Sequence, residues 1–347
     1  MNYVWNKQKG GCPMQKEIKT ESNVFSENGQ VQNPGWSRHP LFNFDKSMCK
    51  NRLSLRERDS YLIENDKVSI YLSVEDNGAT SRVTAVVADH INTTIDSCTR
   101  KKYMSFGRLD MPASSKNGDV TFTDTRVGMN FSNTALKRYL RCEFVNFSKD
   151  KNLYINIMLE DTIDESFNVL LSDKDNKRGF YLKRFMPAMK ASGIVRCGGA
   201  EYNLSPENTT AFLDWQRYCI SGKACYHALY SDSSIEGHQF SLCLAGGIGD
   251  TANSTENCYF YDGKIYKFAS VKAQGSEDRP DKPWRFTAGT GLTDIMFRPE
   301  IKAGRLMCRK CGPKTIIFGK LYGTIKQMGS EKIILDAVPA HLEFILT

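Results

Sequence analysis

A period of two is what most limits the folds open to this chain. Val68, Ile70, Leu72 and Val74 alternate with Ser69, Tyr71 and Ser73, Val120 and Phe122 alternate with threonines, and Leu153, Ile155, Ile157 and Leu159 alternate with Tyr154 and Asn156. Successive side chains of a strand point to opposite faces, so each stretch reads as a strand with one apolar face. Asp76-Asn77-Gly78, Lys116-Asn117-Gly118-Asp119 and Ser148-Lys149-Asp150-Lys151 supply the turns of an antiparallel meander. The second half repeats the style. Phe240, Leu242 and Leu244 alternate with Ser241 and Cys243, residues 259–268 read as a hairpin around Asp262-Gly263, and Ile316, Phe318, Leu321 and Ile325 lie in a later strand pair. Strands without intervening helical patterns argue for barrels or sandwiches and against a parallel α/β sheet. One short helix is expected, capped by Ser205-Pro206 and running towards Asp214.

A chain of 347 residues has room for two such domains. Residues 1–33, polar and interrupted by Gly10-Gly11 and Pro13, read as a flexible N-terminal arm, with one barrel over 34–195 and a second over 196–347. No apolar run approaches the roughly 20 residues that span a bilayer, so no membrane span is expected. The N-terminus lacks the apolar core of a secretory signal, which makes the cytoplasm the expected location. The eleven cysteines, irregularly spaced, then read as reduced thiols. The net charge of +8 admits an anionic partner, but bases alternate with acids, as in Arg56-Glu57-Arg58-Asp59. That pattern reads as a solvated surface, and nucleic acid is not an expected partner. Nothing in the pattern sets an oligomeric state.

Few stretches carry chemistry. Cys308-x-x-Cys311 has no second ligand pair for a zinc ion, and Gly246-Gly247-Ile248-Gly249 lacks the Lys-Ser/Thr of a phosphate loop. The five histidines are not at ligand spacing and no Gly-x-Ser-x-Gly elbow exists, so neither metal nor cofactor is expected. Asp214-Trp215-Gln216-Arg217 is more informative. It reads either as a buried acid kept protonated beside an aromatic ring or as a carboxylate ion-paired with Arg217, and the two predict opposite chemistry. Ser254-Thr255-Glu256-Asn257 offers a second carboxylate next to an amide. His227 reads as a hydrogen-bonded or catalytic histidine on a strand, and Gly35-Trp36-Ser37-Arg38 sets an aromatic beside a cation.

Taken in order, Gly35-Trp36-Ser37-Arg38-His39-Pro40-Leu41, Glu165-Ser166-Phe167-Asn168, Tyr181-x-Lys183, Met186-Pro187-Ala188, Leu213-Asp214-Trp215-Gln216-Arg217, Thr255-Glu256-Asn257, Asp262-Gly263-Lys264, Pro283-Trp284-Arg285 and Phe318-Gly319-x-x-Tyr322-Gly323 resemble domain-of-unknown-function family 2804. That family is related to the AttH and carotenoid 1,2-hydratase group of lipocalin-like proteins, and the resemblance covers most of residues 34–340. It implies an all-β protein of two tandem lipocalin-like antiparallel barrels with an apolar ligand cavity in or between them. Relatives include cofactor-independent enzymes that hydrate or cyclise lipophilic substrates, and lipid carriers. Asp214 matches the acidic residue taken as proton donor in the hydratases, with Trp215 where those relatives carry His.

The expectation is therefore a cofactor-independent hydratase, isomerase or cyclase acting on a lipophilic unsaturated small molecule. Asp214 donates a proton and Glu256 takes one back, while Trp36, Trp215 and Trp284 stabilise developing positive charge. Arg38, Lys183 and Arg217 bind a substrate carboxylate or carbonyl, and Asn168, Tyr226, His227 and Asn257 complete the binding set. The alternatives are a non-catalytic lipid or terpenoid carrier and, more weakly, a binder of anionic surfaces or nucleic acid.

Overall fold

The structure, a computed structural model, describes residues 3–4, 15–49, 52–134, 136–220, 225–276, 279, 281–289, 293–300, 306–308, 312–326 and 332–346. Among the described residues the regular structure is strand throughout, apart from single 3₁₀ turns at Lys46–Met48 and Arg52–Ser54. It forms two compact units. The first comprises Ile18–Asn33 and Ser37–Ser221, the second Met1–Glu17, Pro34–Trp36 and Gly222–Thr347.

In the first unit the sheet runs in the order Thr94–Tyr103, Thr80–Asp89, Val68–Asp76, Arg56–Glu64, Thr210–Cys219, Phe180–Cys197, Lys151–Glu160, Lys137–Ser148, Val127–Asn133, Gly118–Thr123. It curls until Thr94–Tyr103 comes alongside Lys137–Ser148, as in a lipocalin-like half-barrel. The second unit has its own curled antiparallel sheet, with Cys225–Ile235 between His238–Gly246 and Lys332–Leu346. Its hairpin at Cys258–Tyr261 and Lys264–Lys267 turns through Asp262 and Gly263, both at positive φ, as the Asp-Gly signal requires. No helix among the described residues is long and apolar enough to cross a membrane.

Three sequence expectations change. The division between units falls after Ser221, beyond the expected 195/196, because Thr210–Cys219 is laddered on both sides within the first sheet. The expected helix at Ser205 is one turn, closed by Thr209 N–H donating to the Ser205 carbonyl at 2.9 Å. A single turn fixes several dihedrals for one hydrogen bond, and the ladder available from Thr210 onward wins. The expected flexible arm does not extend to residue 33. Residues 1–14 lie outside the described residues except for the Tyr3–Val4 strand, but from Ile18 the chain is part of the first unit. Val24 and Phe25 are buried in its core, with Phe25 edge-on to Phe180 at 5.0 Å.

Period two holds over residues 137–145, where Leu140, Cys142 and Phe144 are buried between exposed neighbours, and shifts by one at Asn146 before the buried Phe147. In the central strands it does not separate core from solvent. On Val68–Asp76, Ile70, Leu72 and Val74 enter the hydrophobic core, yet Ser69, Tyr71 and Ser73 are buried too. Polar side chains on that second face must therefore find partners inside the protein.

The long strand Phe180–Cys197 changes partners midway, at a bulge between Met186 and Met189 where Ala188 adopts φ +62°. Further along, Gly193 sits at φ +141°, and a Cβ there would come within 2.2 Å of the Asn156 carbonyl oxygen. Gly193→Ala should lower stability by about 1–3 kcal/mol or more, read from the urea midpoint. Cys49, Cys98, Cys142, Cys197, Cys219, Cys243 and Cys258 are free thiols. The Cys49 thiol hydrogen-bonded to Cys219 holds the latter down at about 7. Because the folded state favours the Cys219 thiolate, this stabilisation is present at alkaline pH and is lost as pH falls through 7. Alkylation of Cys219 should show a midpoint near pH 7 that moves towards the ordinary thiol range in Cys49→Ala.

Candidate functional site

Directly opposed residues of an antiparallel ladder share a face. Across Arg56–Glu64, Thr210–Cys219 and Phe180–Cys197, one face carries Arg58, Ser60, Asp214, Gln216, Lys183 and Phe185. The other carries Glu57, Asp59, Trp215, Arg217, Leu182 and Arg184. Asp214 and Arg217, three apart on a strand, thus point to opposite sides, and the expected pair between them does not form. Asp214, 1% exposed, accepts from Arg58 Nη2 at 2.7 Å and from Gln216 Nε2 at 2.8 Å, with Lys183 Nζ 3.8 Å from its other oxygen. Two cations and an amide donor around one carboxyl make an ion-paired carboxylate, the second of the two readings of the sequence with different partners.

Arg217 is buried on the core side. Its Nη1 donates to Asp59 Oδ1 at 2.7 Å, its Nε lies 3.2 Å from Glu57 Oε1, and its Nη2 donates to the Pro112 carbonyl at 2.8 Å. Its guanidinium stacks 4.2 Å from the centre of the Trp215 ring. Burial pushes the Glu57 carboxyl up from its ordinary value, although Arg217 and Lys46 pull the other way. The Arg56-Glu57-Arg58-Asp59 run, expected on a solvated surface, is instead an interior partner of Thr210–Cys219: Glu57, Arg58 and Asp59 are all buried.

The core-side face opens into a cavity of about 590 Å³, within the usual range for small-molecule sites. Phe25, Phe42, Phe44, Leu182 and Trp215 give it an apolar wall, and Asn168 and Arg184 add polar groups; Lys183 also borders it, with its ammonium turned to Asp214 on the other face. Asn168, Arg184 and Trp215 stand directly opposite one another on three adjacent strands. Asn168 Nδ2 donates to the carbonyls of Ser37 and Ser166, which fixes its plane. A neighbouring cavity of about 540 Å³ shares Arg184 and Lys116 and adds Arg138, Asp161 and Glu165. Arg38 lines neither; it pairs with Glu165 at 3.0 Å, half in solvent.

The remaining candidates belong to the second unit. Glu256 accepts from Tyr226 Oη at 3.3 Å, and Tyr226 and Tyr230 hydroxyls are 3.1 Å apart, all three side chains buried. Tyr230 stacks on His341, which lies 3.4 Å from Glu343. His227 packs among rings, 6.1 Å from Trp284 and edge-on to Phe344 at 5.1 Å. Trp284 is a core residue with Gly275 directly beneath its ring. Asn257 Oδ1 accepts from Ala245 N–H at 3.1 Å, and Trp36 lies beneath the Lys267 ammonium, 5.8 Å from the ring centre.

Asn168 and Trp215 are therefore brought to one cavity, Lys183 borders it but turns its ammonium to Asp214 on the opposite face of the sheet, and Arg217 stacks on Trp215 on the core side. Sequence reasoning missed Arg58, Arg184, Tyr230, His341 and Glu343, whose partners are set by strand register. Among the described residues no group of His, Cys, Asp and Glu is arranged to hold a metal ion; Cys311 of the Cys-x-x-Cys pair lies outside them, as does the side chain of Cys308.

A family model described as Domain of unknown function (DUF2804) matches residues 15–344. No curated protein matches the chain in sequence. Among solved structures, the chain is similar to the provisionally assigned AttH protein of Nitrosomonas europaea, with 12% identity, a TM-score of 0.54, and 84% of this chain and 92% of that one covered. It is also similar to kievitone hydratase from Nectria haematococca, with 10% identity, a TM-score of 0.52, and 96% and 97% covered. At such identities the likeness is one of fold.

Arg217→Met should cost about 3–5 kcal/mol in chemical denaturation, because it leaves Asp59 and Glu57 buried without their guanidinium.

Proposed function

The chain belongs to that family, and on this premise we propose that it is a cofactor-independent hydratase- or isomerase-type enzyme acting on a lipophilic α,β-unsaturated carbonyl compound held in the 590 Å³ cavity of the first unit. The observation that carries the reading is the cavity itself, whose apolar wall of Phe25, Phe42, Phe44, Leu182 and Trp215 holds a buried cation, Arg184. The similarity of fold to a protein titled kievitone hydratase supports the same class. Charge balance chooses the direction of the chemistry. Arg184 borders the cavity, while Lys183 and Arg58 are turned to Asp214 on the opposite face of the sheet. A buried cation at the wall favours negative charge developing on a carbonyl oxygen over a carbocation, so an enone fits better than an unactivated polyene.

In hydration, the water oxygen bonds to the β-carbon as negative charge passes to the carbonyl oxygen, and the proton that the water loses is taken up at the α-carbon. In isomerisation a proton leaves one carbon and returns to another through the same enolate. Asp214, paired with Arg58 and Lys183 on the opposite face of the sheet, is given no part in this step, which replaces the expected proton donation by Asp214. Glu256, hydrogen-bonded to Tyr226 in the second unit, is given no part in this step. A carrier role is favoured by one observation, the mutual neutralisation of Asp214 by Arg58 and Lys183.

The protein's own ligand serves as the probe. The small molecule that co-purifies is identified by mass spectrometry and incubated with the protein in D₂O. Turnover adds deuterium or D₂O to the ligand, and Leu182→Trp, which fills the cavity, should abolish it. Wild-type rates in Leu182→Trp would remove the cavity as the site, and loss of turnover in Glu256→Gln alone would move the proton transfer to the Tyr230–Tyr226–Glu256 chain. A ligand that never exchanges makes the protein a carrier.

A further inference from the structure

Arg184 breaks the rule that its neighbours keep. In the first unit Arg58 is paired with Asp214 at 2.7 Å, Arg82 with Glu75, Arg138 with Asp161 at 3.5 Å and Arg217 with Asp59 at 2.7 Å. Arg184 is 7% exposed, yet no carboxylate lies within ion-pair distance of it among the described residues. Its Nε donates to Ser166 Oγ at 3.2 Å and its Nη1 to Ser115 Oγ at 2.7 Å, while its Nη2 donates to none of the described residues. Buried arginines are ordinarily paired, because an unmatched charge inside a protein costs several kcal/mol. Burial, and then the charge of Arg138, pull the Arg184 guanidinium down to about 10, so it is still a cation at neutral pH.

Two hydroxyls hold the guanidinium in a fixed plane, and it lies at the wall of the cavity beside the Trp215 ring. Glu21, Glu27 and Asp45 also border that cavity, but they are exposed at its rim, where water screens them. In the adjoining cavity Asp161, Asp164 and Glu165 line the wall instead, which disfavours an anion there.

We infer that Arg184 is the anchor for the carboxylate of an amphiphilic ligand, whose apolar body lies along Phe25, Phe42, Phe44 and Leu182. The inference rests on the cavity being the ligand site and adds to it the charge of the ligand. Guanidinium and carboxylate match in a bidentate geometry, so the ligand supplies the counterion that the fold withholds. An ester or amide of the same body leaves Arg184 unmatched.

The experiment compares cis-parinaric acid, a fluorescent polyene carboxylate, with its methyl ester at pH 7. Wild-type protein should bind the acid at least about tenfold tighter than the ester, a difference of about 1.4 kcal/mol. In Arg184→Gln, which keeps donors for both serines, the acid should lose its advantage, so that the two bind alike. Equal binding of acid and ester by the wild type, or a preserved preference in Arg184→Gln, overturns the anchor while leaving the cavity as a ligand site. Binding of neither compound overturns both. A second measurement uses the wild type alone, so that it stands even where the variant fails to fold. Saturating acid should raise the melting temperature by several degrees more than saturating ester. Equal shifts count against the anchor.

Discussion

Everything in the first unit depends on the fact that its central strands are buried on both faces. A sheet with one wet face can leave its polar alternates in solvent. Here Arg58, Asp59, Glu75, Lys183, Asp214 and Arg217 have no such outlet, and each must be matched inside. The matching is done between strands distant in sequence: Arg58 with Asp214 and Arg217 with Asp59 tie Arg56–Glu64 to Thr210–Cys219 on opposite faces of the same ladder. A slip of one residue would reverse both sets at once and leave every charge facing the wrong neighbour. The ion pairs therefore specify register more than they stabilise, which is the best-attested use of buried charge.

The class of the fold was open to reading because period two, Gly-containing turns and absent helices are local signals. The Asp262-Gly263 hairpin needs only the residues that form it. What failed was any expectation that required knowing which strand lies next to which. Ser205-Pro206 has a helix cap's chemistry, but the chain after it is claimed by partners at Ser60 and Phe185. Arg56-Glu57-Arg58-Asp59 has the charge alternation of a solvated surface, and nothing within those four residues announces the complementary charges about 160 positions later.

The candidate site shows the same division. Asp214-Trp215-Gln216-Arg217 was recognisable as unusual, since a carboxylate, an indole and a guanidinium rarely crowd so closely without reason. The expected pairing of Asp214 with Arg217 needs residues three apart to be neighbours, as they are on a helix; on a strand they part company, so the Asp214 partner came from elsewhere. Arg184 carried no signal of its own. An arginine beside a lysine is commonplace, and only the register that sets it opposite Asn168 and Trp215 shows a guanidinium without a carboxylate.

The row Asn168, Arg184, Trp215 lies across the strands, and that makes it a ruler with fixed graduations. Its members are separated by the interstrand spacing of about 4.8 Å, which backbone hydrogen bonds hold constant. Moving a cation to the next strand would shift it by one such step, and moving it along its own strand by the roughly 6.6 Å between residues that share a face. The length and polarity of a wall built this way can thus change only in these increments, by exchange of side chains at sheet positions while the backbone stays as it is.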